Sequence, residues 1–180
     1  MGRVYETLDE RLTEFLRRQH VFFVATAPLA ADGLVNLSPK GLDTFDVLDE
    51  HRVAYLDLTG SGVETIAHLR ENGRIVVMFC AFEGPPRIVR LHGRGRVVLP
   101  ADAGFDTLAG RFRRRPGVRS VVEIEVTRIA DSCGFGVPLL AYQGERSELD
   151  AWAAAKGPDG LADYRAGKNA VSLDGLPGLG

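Results

Sequence analysis

Several kinds of residue and segment are scarce in this 180-residue chain, and each scarcity excludes a class of protein. The two cysteines, Cys80 and Cys133, are too few and too far apart in sequence to form a disulfide framework. No apolar run approaches the roughly 20 residues that a membrane-spanning helix needs, and the first residues contain no apolar signal core. The four histidines are scattered, which gives none of the spacings typical of a metal site. We therefore expect a cytoplasmic protein that holds no metal.

Net charge is also small. The chain has 22 basic and 24 acidic residues and a formal charge of -2 at pH 7. This balance gives no electrostatic reason to expect nucleic acid or a membrane surface as a partner.

Strand-forming runs follow one another with few helical segments between them. Residues rich in Val, Ile, Phe and Tyr, bounded by turn residues, predict six strands. These strands span residues 21–26, 34–38, 52–58, 74–82, 87–99 and 120–129. Strands without crossover helices favour an antiparallel sheet over a parallel one. We predict a mainly β protein with flanking helices, in which a six-stranded antiparallel sheet closes into a small barrel.

The predicted helices lie at the ends of the chain and between strands. Thr7 and Glu10 have the spacing of a capping box for a helix that ends near residue 19. Further helices are expected over residues 63–71 and 101–114. Composition changes after Pro138, and two short helices are expected over 147–156 and 161–168. We predict a barrel domain over residues 1–140 and a helical extension over 141–180, which packs on the barrel or on a dimer partner.

The junction Thr59-Gly60-Ser61-Gly62 lies between a predicted strand and a predicted helix. Glycines allow a sharp turn, and the free N–H groups of a helix start favour an anion such as a phosphate. The segment has neither the Gly-Lys-Ser/Thr of a Walker loop nor a full dinucleotide fingerprint. By itself the pattern fits either a phosphate-binding turn or an ordinary strand-to-helix connection.

Two other segments carry polar groups at strand positions. In the first, Ser38 and Lys40 bring a hydroxyl and a charge into a turn. In the second, strand alternation places Ile88, Arg90 and His92 on one face, so Arg90 is a candidate partner for a phosphate.

In their order along the chain, these segments resemble the pyridoxamine 5'-phosphate oxidase-like family of FMN-binding split β-barrels, in its uncharacterised branch of FMN-dependent enzymes. The residues that carry the resemblance are Ser38-Pro39-Lys40-Gly41, Val47-Leu48-Asp49, Asp57, Gly60, Glu64-Thr65, Leu69 and Arg90-Leu91-His92-Gly93-Arg94-Gly95. The likeness covers about residues 21–98.

The resemblance implies a homodimer with non-covalent FMN at the subunit interface and a small-molecule substrate. The cofactor-binding residues that it implies are Asn36, Leu37, Ser38, Lys40, Thr59, Gly60, Ser61, Gly62, Ile88 and Arg90. Residues 36–38 would follow the flavin ring, Lys40 would reach the flavin or its phosphate, and residues 59–62 would form the phosphate-side turn. It implies no fixed catalytic side chain, because the flavin performs the electron transfer.

One departure affects the cofactor site. Oxidases of the family proper carry an Arg-Lys pair where this chain has Gly62 and Val63, which predicts weaker phosphate binding. We expect an FMN-dependent oxidoreductase that acts on an unidentified small molecule. The alternatives are a non-catalytic flavin- or haem-binding protein and an F420-dependent reductase of the same fold.

Overall fold

The computed structural model describes residues 2–179. Within them lie eight strands and four helices. The strands are β1 (Val4–Tyr5), β2 (Phe22–Thr26), β3 (Asn36–Lys40), β4 (Phe45–Val47), β5 (Arg52–Leu58), β6 (Arg74–Cys80), β7 (Ile88–Val98) and β8 (Val118–Ser132). The helices are α1 (Glu10–Arg17), α2 (Glu64–Asn72), α3 (Phe105–Ala109) and α4 (Glu148–Lys168).

All strand pairs are antiparallel, and the strands lie in the order β3-β2-β6-β7-β8-β5-β4, with β1 beside β8. The sheet curls, because Phe22 near one end of this order contacts Phe45 and Tyr55 at the other, with ring centroids 5.4 and 5.7 Å apart. The predicted antiparallel barrel with flanking helices is therefore confirmed as a split barrel. The predicted strand number of six is wrong. The two missed strands, β1 and β4, are two and three residues long, too short to show a period of two.

The main core fills the inside of the curled sheet. Val53 and Tyr55 of β5 point into it and are fully buried. Their neighbours Ala54 and Leu56 point to the other face, where a smaller cluster packs beneath α3. Strand β5 is thus covered on both sides, which explains why its sequence is apolar with hardly a break.

Two predicted helices differ from the observed ones. The N-cap of α1 is Asp9, whose carboxylate accepts a hydrogen bond from the Leu12 N–H, and not Thr7. Helix α3 covers only residues 105–109 of the predicted 101–114. Arg111 and Arg115, which lie beyond the end of α3, form ion pairs with Asp46 and Asp150.

The C-terminal residues fold back onto the sheet and α2 of the same chain. Helix α4 is interrupted at Gly157, whose φ of 66° and ψ of 176° are not helical, so it consists of two helical pieces as expected. The last residues return along α2, where the Arg70 guanidinium donates to the Gly178 carbonyl and the Asp174 carboxylate accepts from the Leu34 N–H. None of the helices described within residues 2–179 combines the length and the apolar character that crossing a bilayer requires.

Candidate functional site

A broad groove of about 1500 Å³ opens between the ends of α1, β3, β5 and the β6–β7 turn. Its volume exceeds the roughly 300–1,000 Å³ of a typical small-molecule site. Of the residues that the sequence predicts to bind a cofactor, Lys40, Thr59 and Gly60 line it. Apolar side chains line it too, including Leu56 and Leu58. The groove is therefore the candidate site.

Strand β3 directs Lys40 toward the inside of the barrel. Lys40 is paired with Phe22 of β2, whose side chain is buried in the core, so the two share the inner face. The Lys40 Nζ lies 3.9 Å from Asp57 Oδ1, and about a quarter of the lysine side chain remains exposed. Burial lowers the pKa of Lys40; the Asp57 carboxylate opposes this shift and the Arg119 guanidinium adds to it.

The Asp57 carboxylate is already neutralised by another residue. Arg119 binds it through two hydrogen bonds, Nε to Oδ2 at 2.7 Å and Nη2 to Oδ1 at 3.1 Å, and the Ser120 hydroxyl donates to Oδ2 at 3.1 Å. A bidentate arginine–carboxylate pair has no net charge, and both partners are almost fully buried here. The positive charge of Lys40 is therefore left without a dedicated counterion at the edge of the groove.

A β-bulge brings both Arg119 and Ser120 to Asp57. Leu58 pairs with Val118 and Asp57 pairs with Ser120, so Arg119 is the extra residue of the bulge. In a regular strand Arg119 and Ser120 would point to opposite faces. The bulge lets both side chains reach the same carboxylate, and bulges are enriched beside active sites for this reason.

The carbonyl groups of the glycine turn are bound from one side. Asn169 Nδ2 donates to the carbonyls of Gly60 and Ser61 at 3.0 and 3.2 Å, and Arg119 Nη1 donates to the carbonyl of Gly62 at 2.8 Å. In a trans peptide the following N–H points opposite to the carbonyl. The N–H groups of residues 61–63 therefore point away from Asn169 and Arg119.

The start of the turn is fixed in the same way. The Thr59 hydroxyl donates to the Gly117 carbonyl at 2.8 Å and accepts from Arg165 Nε at 2.9 Å. Burial lowers the pKa of Arg165, which Arg119 lowers further. Glu64, the first residue of α2, brings a carboxylate close to Gly62, where a basic side chain would strengthen an anion site.

The remaining predicted residues do not all face this groove. The Asn36 amide donates to the hydroxyls of Thr26 and Thr65 at 3.2 and 3.0 Å, beside the fully buried His68. Leu37 lies on the outer face of β3 and is 65% exposed. Ser38 lies on the inner face with Lys40.

Ile88 and Arg90 belong to the outer face of the sheet. Arg90 is paired with Met78, Met78 with Phe23, and Phe23 with Pro39, so these side chains share the face opposite to Lys40. Arg90 Nη1 donates to the Ser132 hydroxyl at 3.1 Å. Within one chain, Lys40 and the glycine turn meet at the groove, whereas Arg90 does not join them.

An extended segment of residues 140–146, here called the strap, runs across the mouth of the groove. The Leu140 N–H donates to the Phe82 carbonyl at 2.9 Å. The Tyr142 ring stacks on His20 with centroids 3.5 Å apart, and Glu145 Oε2 accepts from the Leu42 N–H at 3.1 Å. The strap therefore connects the β6–β7 turn to the β3–β4 turn.

Arg119, Arg165 and Asn169 escape prediction from the sequence. Arg119 lies in a bulge, which breaks the alternation that assigns faces. Asn169 and Arg165 are more than 100 residues away from the turn they bind, and no local pattern indicates such a contact. The available signal is weak: an arginine and a serine lie shortly after Pro116-Gly117, at the start of a strand.

Comparison with known proteins identifies the family. The sequence pattern of the pyridoxamine 5'-phosphate oxidase family matches residues 8–133. The pyridoxamine 5'-phosphate oxidase family protein ustO of Aspergillus flavus is 42% identical over 193 aligned positions, which cover 97% of this chain and 77% of the relative.

Solved structures with the same fold have diverged much further in sequence. A variant of HupZ from Group A Streptococcus superimposes with a TM-score of 0.54 at 22% identity, covering 69% of this chain and 99% of HupZ. The FAD binding protein from Mycobacterium smegmatis gives a TM-score of 0.51 at 17% identity and covers 70% of this chain and 96% of its own. These likenesses concern the fold. The match in sequence pattern and the relative from Aspergillus flavus show that the chain belongs to the pyridoxamine 5'-phosphate oxidase family.

Proposed function

We propose that this protein binds FMN non-covalently in the groove and acts as an FMN-dependent oxidoreductase on a small molecule. The observation that carries the proposal is the charge balance around Lys40. Asp57 is neutralised by Arg119, so Lys40 presents a cation without a counterion of its own to the groove, which Thr59 and Gly60 of the glycine turn also line. A phosphate is the anion best suited to a lysine and several backbone N–H groups.

The groove also suits the rest of a flavin. Leu56, Leu58, Phe82 and Pro85 supply apolar surface for a planar ring system, and Lys40 and Gly60 lie in the same groove. When bound, the flavin supplies hydride or electron transfer. The residues of this chain bind and orient it, and we assign no catalytic side chain.

Relatives support a flavin without identifying which one. A protein of the same fold from Mycobacterium smegmatis is described as FAD binding. FAD and FMN share the ring and the first phosphate, so the same Lys40 contact serves both. We favour FMN because the resemblance of the segments around Lys40 and Gly60 is to FMN-binding split barrels.

We further propose that the protein is a homodimer in which Ile88 and Arg90 contact the flavin of the partner. In support, the outer face of the sheet carries half-exposed apolar side chains, among them Phe23 and Met78, next to the exposed Leu37. Such a patch is typical of a contact surface. Light scattering after size exclusion tests this: a dimer is expected, Met78→Lys should weaken it, and a monomeric wild-type protein would contradict it.

The central experiment is a visible spectrum of protein purified from a flavin-replete host, with mass spectrometry of the released chromophore. We expect a flavin spectrum and the mass of FMN. Fluorescence titration of the flavin-free protein should then show tighter binding of FMN than of riboflavin, which lacks the phosphate. A colourless protein that fails to quench added FMN would refute the proposal, and tighter binding of F420 in the same titration would reassign the cofactor.

A non-catalytic flavin-binding protein is the second candidate, and one observation favours it. Two carboxylates at the groove, Glu83 and Glu145, serve to hold neighbouring backbone in place, since they accept hydrogen bonds from the N–H groups of Tyr142 and Leu42. Reduction of the bound flavin by NADPH or NADH, followed by reoxidation with candidate acceptors, separates the two. Reoxidation that depends on an acceptor supports the enzyme, and its absence with every acceptor supports the binding protein.

A further inference from the structure

Asn169, the C-cap residue of α4, is fully buried, and its side chain uses all of its main hydrogen-bonding groups on one site. Its Oδ1 accepts from Arg119 Nη1 at 3.0 Å, and its Nδ2 donates to the carbonyls of Gly60 and Ser61. A fully satisfied buried polar network is rigid.

The backbone of Asn169 is held equally firmly. Its N–H donates to the Arg165 carbonyl at 2.8 Å, and its carbonyl accepts from the Leu179 N–H at 2.7 Å. Asn169 therefore has little freedom to move, and neither does the turn that it binds. It lies outside residues 8–133, the part of the chain that matches the family pattern. The C-terminal extension thus adds a polar contact to a turn that the family barrel supplies.

The contact determines which groups of the turn are available to a ligand. With the carbonyls of Gly60, Ser61 and Gly62 bound by Asn169 and Arg119, the N–H groups of residues 61–63 point the other way. Without Asn169, the first two carbonyls would be free to rotate to the side on which the N–H groups now lie. A carbonyl oxygen repels an anion, so the same turn would then lose much of its affinity for a phosphate.

We propose that Asn169 is a positioning residue of the cofactor site, which orients the glycine turn for the phosphate of the flavin. This inference rests on the proposed function, because it assumes a phosphate-bearing flavin at the groove. It also explains how the chain does without the basic pair that the oxidases proper carry after the turn: preorganised N–H groups take over part of the role of two side chains.

The test compares two ligands that differ only in the phosphate. Flavin-free wild-type protein and Asn169→Ala are titrated with FMN and with riboflavin by fluorescence quenching. We expect Asn169→Ala to weaken FMN binding about 10- to 100-fold, because one or two charge-assisted contacts to the phosphate are lost. Riboflavin has no phosphate, so its binding should weaken less than about 3-fold. Asn169→Asp should be as defective for FMN as Asn169→Ala, since it keeps the acceptor for Arg119 but replaces the donor to the two carbonyls.

Ser172→Ala is the matched control. Its hydroxyl accepts from the Leu176 N–H within the same C-terminal segment and does not touch residues 59–62. This variant should lower stability slightly and leave the preference for FMN over riboflavin unchanged. Equal losses of FMN and riboflavin affinity in Asn169→Ala would overturn the positioning role and leave the proposed function intact.

A second measurement needs no variant and remains available if Asn169→Ala does not fold. In wild-type protein, FMN should slow amide hydrogen exchange at Ser61, Gly62 and Val63 more than riboflavin does. Identical exchange with both ligands would overturn the inference even where FMN binds. Failure of wild-type protein to bind FMN at all would instead refute the proposed function, and with it this inference.

Discussion

The Lys40 ammonium lies 3.9 Å from Asp57, a carboxylate whose two oxygens are both bound by Arg119. Asp57, the carboxylate nearest to Lys40, is therefore shared, and Arg119 binds it more tightly than Lys40 does. A lysine in this position is held near the groove and desolvated, yet its charge remains available to a ligand.

Replacing Lys40 with methionine should separate binding from folding. Lys40→Met keeps the length and the apolar stem of the side chain and removes the charge. FMN binding should weaken about 10- to 100-fold, the range expected for a charge-assisted hydrogen bond of about 1.5–3 kcal/mol. The flavin-free protein should be as stable as wild type or more so, because burial disfavours the charged form of Lys40. Fluorescence titration and urea unfolding measure the two effects.

The pH dependence of the flavin-free protein gives an independent check. Folding lowers the pKa of Lys40, so the folded chain binds its proton less well than the unfolded chain does. The charge of Lys40 therefore destabilises the folded protein at neutral pH. The free energy of unfolding should rise as the pH increases from the lowered pKa of the folded chain toward the pKa of about 10.4 in the unfolded chain. Lys40→Met should lose this part of the pH profile. A marked loss of stability in Lys40→Met at neutral pH would mean that Lys40 is structural.

Asp57→Asn should destabilise the protein severely. The substitution leaves the Arg119 guanidinium buried without a counterion, and breaking a buried pair from one side costs about 3–5 kcal/mol. Urea unfolding of the flavin-free protein measures the loss. Asp49→Asn is the control, because it removes the same kind of aspartate–arginine pair, with Arg52, at an exposed position where the urea midpoint should hardly change. Similar midpoints for the two variants would contradict the buried-pair argument.

A second carboxylate, Asp131, should make the stability of the protein depend on pH in the acid range. It binds the Arg3 N–H, the Tyr5 hydroxyl and the Arg87 guanidinium, and joins the N-terminal strand to β8. Burial raises the pKa of Asp131, but the hydrogen bonds from Tyr5, Arg3 and Arg87 outweigh it, so the net shift is downward. Its stabilisation is therefore present above the unfolded pKa of about 3.9 and is lost as the pH falls through the lower folded value.

The measurement for Asp131 is urea unfolding at neutral pH and at about pH 3. Asp131→Asn should cost about 1 kcal/mol at neutral pH, because the carboxylate lies near the surface and solvent screens its pairs. The difference from wild type should shrink in acid. A difference that does not change with pH would show that the negative charge of Asp131 does not contribute to stability.

The arrangement of strands follows largely from the sequence, whereas the charged cluster does not. Apolar runs such as those of β5 and β6 predict their strands to within a residue or two, because period and turn residues act locally. Strand β4 is missed, since three residues show no period. The missing information concerns short elements and not the fold.

In the candidate site too, local sequence patterns predict some residues and miss others. Lys40 and the glycine turn carry local signals, and both lie at the groove. Arg119 carries none, because a bulge shifts it out of the alternation of β8. Arg90 follows the alternation and therefore faces outward. Only contacts over long sequence separation, such as that of Asn169, decide how the turn is oriented.

Gly93 and Gly60 differ in whether the fold has room for a larger residue at that position. At Gly93, beside the register shift of β7, a Cβ atom would overlap the backbone carbonyl oxygen of Glu125 on the neighbouring strand. At Gly60 a Cβ atom would have no other atom within 4 Å. Gly93→Ala should therefore cost about 1–3 kcal/mol or more, since a backbone atom must move to admit the methyl group. Gly60→Ala should change the free energy of unfolding by less than about 0.5 kcal/mol. Urea unfolding of both flavin-free variants measures the contrast. A stable Gly93→Ala would mean that β7 and β8 can separate locally without loss, and an unstable Gly60→Ala would mean that the glycine turn itself is strained.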